Sequence, residues 1–178
     1  MDPRAFCMSI ALAFLAACVT TPRYGGAIPV FDAKGIRNLG EGPFVLDFLA
    51  IKAGTEDRVV LEYDIERLGR HVDYMTLKIP VYNLDKHGDP GIIDVFAFKG
   101  DGEIKPSDFY AGKRVGRAKA PGSSSVRVDV TKAVQTALDA DQRFIGFRLS
   151  TKTTDRYFLG DIAGLQNPTL RKRNTLGH

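Results

Sequence analysis

Tryptophan is absent from the 178 residues, and there are only two cysteines and three histidines. Without tryptophan, any aromatic platform for a flat ligand falls to tyrosine or phenylalanine. The cysteines are Cys7 and Cys18, both near the N-terminus. The rest of the chain therefore has no internal disulfide, no thiolate metal site and no thiol nucleophile. The histidines, His71, His87 and His178, lie far apart in sequence, and no G-x-S-x-G motif frames a serine. A serine-hydrolase centre has no support in such a pattern. The acids fall mostly at turns and outward strand positions, which gives little support to the facing carboxylate pair of a glycosidase. No catalytic residue is assigned, and the expectation is a non-enzyme.

No long apolar run is present either. The best is residues 5–17, interrupted by Ser9, whereas a membrane-spanning helix needs about 20 apolar residues. The segment suits the apolar core of a secretory signal, about 7–15 residues behind a basic residue, here Arg4. It ends in Leu15-Ala16-Ala17-Cys18. This junction resembles the lipobox of bacterial lipoproteins: an aliphatic residue, two small residues, then cysteine. The resemblance implies cleavage before Cys18, a diacylglyceryl thioether on its sulfur and acylation of its new amino group, with palmitate an expected chain. Each buried methylene contributes about 0.8 kcal/mol, so three acyl chains would make the anchor effectively permanent. Val19 is not the aspartate that favours inner-membrane retention in that family. The expected location is thus the cell envelope, lipid-anchored at the outer membrane. Residues 1–17 are the expected signal peptide and 18–29 the tether.

Removing 17 residues leaves 161, the size of one domain. With 44% hydrophobic residues, the chain can build its own core. The net charge is +4 and the pI about 9.1. Basic residues cluster at Lys113, Arg114, Arg117 and Lys119, and again at Arg171, Lys172 and Arg173. Such runs are solvated loop and tail charge, or they attract anionic envelope polymers or lipid headgroups. Nucleic acid is not an expected partner of an exported protein.

Alternation of period two dominates residues 30–172. Apolar sets recur at Phe44, Leu46, Phe48; Val59, Leu61, Tyr63; Met75, Leu77, Ile79; Ile93, Val95, Ala97; Val126, Val128; and Ile145, Phe147, Leu149. Period two places one set in a core and the other outside. Glycine, proline and aspartate clusters separate the runs. Pro80 inside a run predicts an edge or bulged strand. Val130, Val134 and Leu138, with Ala133 and Ala137 beside them, form a helical stripe instead, which Thr131 can cap. The predicted fold is all-β, a single jelly-roll-like β-sandwich over 30–172, with one short helix near 131–139 and a tail at 173–178.

The order of these pieces resembles the DNRLRE-type domain, a sandwich class grouped with carbohydrate-binding modules. Residues 58–65, with basic Arg58 leading an apolar run, resemble its early strand, and 72–79 the next. Asp129, Val130 and Thr131 resemble its helix start, Gly146, Phe147 and Leu149 its following strand, and Pro168 and Leu170 its last strand. The resemblance implies a sandwich and a carbohydrate ligand.

Among tyrosines, Tyr63 falls on the core face. Tyr82, on an outward position, and Tyr110, in a loop beside Phe109, are the candidate ligand-binding residues for stacking on a sugar ring. Asp85 and Asp89, flanking His87 in a polar loop, are weak calcium candidates, since the EF-hand spacing is not met. No metal and no cofactor are expected. The leading expectation is an anchored binding module for glycan or another surface polymer. A protein-interaction subunit of an envelope assembly stands second, and a polysaccharide hydrolase or lyase third.

Overall fold

A computed structural model describes residues 27–52, 56–83, 91–120, 124–152, 157–159 and 169–172. Cys18, Asp85, His87 and Asp89 lie outside them. The architecture is an all-β sandwich of two antiparallel sheets with one helix. The first sheet runs β3 (Pro43–Leu46), β2 (Asp32–Asn38), β5 (Asp57–Asp64), β10 (Phe144–Thr151), β7 (Gly91–Lys99), β8 (Lys113–Ala120). The second centres on β6 (Met75–Asn83), which takes β9 (Ser124–Asp129) along one edge. Its other edge pairs with β12 (Thr169–Lys172), backed by β1 (Ala27–Pro29), and with β11 (Tyr157–Phe158), backed by β4 (Ala50–Ile51).

β5 and β10 are neighbours in one sheet, and their continuations β6 and β9 are neighbours in the other. The β5–β6 and β9–β10 arms thus form a two-stranded ribbon that bends from sheet to sheet, the wrapping of a jelly roll. The helix α1 (Thr131–Asp139) sits at that bend and buries Val134 and Ala137. Its start differs from expectation. Val130 is the N-cap and makes no side-chain cap, while Thr131 is the first helical residue. The Thr131 hydroxyl accepts from the Met75 N–H at 2.9 Å and donates to Asp129 Oδ1 at 2.6 Å. Gln135 accepts from the Val72 N–H and donates to the Arg70 carbonyl. The helix therefore uses its polar residues to hold the β5–β6 connection.

The core follows the alternation. Leu61, Tyr63, Ile79, Phe147 and Leu149 are fully buried, with Tyr63 edge-on to Phe147 at 6.0 Å between centroids. Two expectations need correction. Pro80 is not on an edge strand, because β6 is central. Its β9 side is paired at Ser125, but β12 stops at Lys78 and β11 starts at Tyr82 on the other side. No described strand pairs with Pro80 there, and a residue without an N–H fits such a gap. Residues 44–51 are not one core strand either. They split between β3 and β4 in opposite sheets, leaving Phe44 and Phe48 exposed while Ala50 and Ile51 are buried. Strand order also begins at Ala27, three residues inside the expected tether.

Candidate functional site

The outer face of the first sheet carries the chemistry. The β7–β8 connection, with a 3-10 turn at Pro106–Tyr110, folds back across it. Ile104 and Phe109 from this connection cover Ile36, Val60 and Phe98, making a second, smaller apolar cluster outside the sandwich core. Full burial of a phenylalanine contributes about 1.5–3 kcal/mol, and Phe109 is fully buried. Gly146 leaves space for the ring of Phe98, since a Cβ there would lie 2.2 Å from it.

Acids pin one end of the connection. Glu62 accepts from the N–H of Gly102 at 2.7 Å and of Asp101 at 3.3 Å, and Asp32 accepts from the Ile104 N–H at 3.4 Å. Burial pushes the Glu62 carboxyl up from its ordinary range, while the two amide bonds pull it back. Arginines pin the other end. Arg58 Nη1 donates to the Phe109 carbonyl and Arg148 Nε donates to the Ala111 carbonyl, the latter at 2.8 Å. Each guanidinium also lies over a ring at 3.8 Å, Arg58 over Phe109 and Arg148 over Phe96. Burial first, then repulsion from Arg58, pushes the Arg148 guanidinium down to about 10, which leaves it charged at neutral pH.

Tyr110 sits between the two gripped carbonyls. The residue is 62% exposed; its ring packs edge-on to Phe109 at 4.9 Å and lies 5.9 Å from the Arg58 guanidinium, and its hydroxyl accepts from Asn38 Nδ2 at 2.7 Å. The register runs Lys34, Val60, Arg148, Phe96, Arg114 in one row across five strands. In the adjoining row Asp94 faces Arg117, which holds it at 2.8 Å. With Arg58, which pairs with Ile36 in that second row, five basic residues stand in these two rows against the one strand acid Asp94.

Tyr82 is half-buried on the outer face of the second sheet, so the structure does not bring it together with Tyr110. The two candidates lie on opposite sides of the sandwich and cannot form one platform. The sequence reading missed Arg58, Arg148, Phe96 and Asn38 as parts of a site. A signal was present: Phe96 and Phe98 occupy the outward set of a strand whose inward set is already apolar, which marks a face that something covers.

The buried carboxylates Asp57, Glu62 and Asp94 are engaged by Arg37, by backbone amides and by Arg117 respectively. Among the described residues, no group of three or more His, Cys, Asp or Glu is placed to hold a metal, and no helix is long and apolar enough to cross a membrane. Compared with known proteins, the chain matches no family model and no curated protein.

Proposed function

We propose that this protein is a lipid-anchored envelope protein whose sandwich binds a glycan or related surface polymer without reacting with it, at the outer face around Tyr110. The lipobox-like junction at Cys18 supports the anchor, and the likeness to DNRLRE-type domains supports a carbohydrate ligand. The observation that carries the reading is Tyr110, 62% exposed yet fixed by Asn38 at its hydroxyl and by Phe109 against its ring. An aromatic already fixed in place loses little freedom when a ligand stacks on it. The engagement of Asp57, Glu62 and Asp94 in structural contacts favours binding over hydrolysis.

The full chain in detergent, offered fragments of peptidoglycan, lipopolysaccharide and exported polysaccharide, tests this. Binding to at least one is expected, weakened about tenfold or more by Tyr110→Ala, as for loss of a stacking contact. Failure to bind any of them overturns the reading. A second reading, docking on an envelope protein, is favoured by the edge strand β3. There Phe44 and Val45 are 42% and 37% exposed, and neighbouring Leu39 is 63% exposed. A bare apolar edge invites pairing with another chain.

A further inference from the structure

We infer that the polymer bound at this face is acidic, and that Arg58 and Arg148 together take its anionic group while Tyr110 stacks on the adjoining ring. This rests on the glycan-binding reading above. Other arginines in or beside this sheet are paired with carboxylates. Arg37 is neutralised by Asp57 through two bonds of 2.5 and 2.9 Å, Arg117 and Arg114 share Asp94, and Arg143 holds Asp64 at 3.1 Å. Arg148 has no carboxylate among the described residues, although only 6% of it is exposed. Its only described hydrogen bond leaves from Nε, so Nη1 and Nη2 donate to nothing described. Arg58 has only Glu56, at 3.9 Å, and that carboxylate is more than half exposed.

Burying a guanidinium without a counter-charge is costly. The cost is offset at Arg148 by one carbonyl and the Phe96 ring face, and at Arg58 by one carbonyl, the Phe109 and Tyr110 rings at 3.8 and 5.9 Å, and the exposed Glu56. Those same contacts fix the two forks. Arg58 and Arg148 are diagonal neighbours on adjacent antiparallel strands, a spacing of about 7–8 Å that long side chains bridge readily. Their mutual repulsion, felt at Arg148, indicates that their charges lie close. Two fixed forks side by side suit a carboxylate, sulfate or phosphate, which accepts paired N–H donors. Tyr110 lies between the two carbonyls that these arginines grip, so a ring stacked on it carries its acidic substituent to the forks. Arg114 and Arg117 share the single carboxylate of Asp94 and so leave one net positive charge further along the sheet.

The shared chemistry is an oxyanion, and three probes separate its sources: a polyuronate, a dextran sulfate and a phosphate-bearing polysaccharide, each compared with neutral dextran. The full chain in detergent should bind at least one acidic probe about tenfold or more tighter than dextran, with binding that weakens as salt rises. Arg148→Lys and Arg58→Lys keep the charge but lose the fork. Each should weaken that binding about tenfold. Arg127→Gln, exposed on the outer face of the other sheet, removes a charge elsewhere and should leave binding unchanged. Thermal unfolding checks that each variant folds. Should Arg148→Lys fail to fold, Arg58→Lys at the rim carries the same reading. Equal binding of neutral and acidic probes, unaffected by the lysine variants, overturns this inference and leaves glycan binding standing. Equal losses in Arg127→Gln and the lysine variants reduce the effect to net charge and also overturn it. Binding of no probe, acidic or neutral, overturns both readings.

Discussion

Single residues in this protein are set by whether a buried polar atom finds a partner. The Tyr63 hydroxyl is fully buried and has no hydrogen-bond partner among the described residues. Burial drives its ionisation well above the usual phenol range. An unmade hydrogen bond of this kind costs about 1–3 kcal/mol, so Tyr63→Phe should stabilise the fold, by about 1 kcal/mol once the small void is counted. Urea unfolding measures this, and a clear loss of stability would mean that the hydroxyl has a partner. Glu62 is the opposite case, buried but served by amides. Because its folded pKa is raised, the folded state holds the proton longer than the unfolded chain does. Its contribution is therefore full below the ordinary glutamate range and is lost as pH rises through the raised value. Stability should fall over that window in the wild type and fall less in Glu62→Gln, as read by denaturant midpoints at about pH 4 and about pH 7.

At the scale of elements, short polar contacts and one apolar lid do what strand pairing cannot. Thr131 ties the start of α1 to the start of β6. Thr131→Val keeps the shape but leaves the Met75 N–H without its acceptor, an expected cost of about 1–2 kcal/mol visible as a lower thermal midpoint. The β7–β8 connection is a lid of a different kind, held by Phe109 between acid and arginine clamps. Phe109→Ala should cost about 3 kcal/mol. The loss should be uneven: amide exchange should quicken across residues 100–112 while β6 and β9 keep their protection. Uniform quickening would make the lid part of the main cooperative core.

For the whole molecule, the functional reading joins a tether at one end to a binding face on the sandwich. Cys18→Ala should abolish labelling by a fatty-acid analogue and leave the leader uncleaved, because the Cys18 sulfur is the expected acceptor of the diacylglyceryl group. Labelling that persists in the variant would overturn the anchoring proposal. The edge strand β3 belongs to the same scale. Its exposed Phe44 and Val45 lie on the sheet's margin against the Pro106–Tyr110 turn, so a protein partner docked there would adjoin the Tyr110 face.

Local periodicity was enough to state an all-β sandwich, the α1 span and the inward set of most strands. Alternation is a property of neighbouring residues, and burial of one sheet face enforces it directly. Pairing was not legible. Nothing local in residues 44–51 says that the run divides between two sheets, and nothing around Pro80 says that a central strand has a gap in its neighbours. The binding face was hidden for the same reason. Arg58 and Arg148 stand 90 positions apart at ordinary outward positions, and only the register of β5 against β10 makes them neighbours. Tyr110 was visible as an exposed aromatic in a loop. Its separation from Tyr82 by the thickness of the sandwich depends on which sheet each strand joins, a choice made by long-range packing.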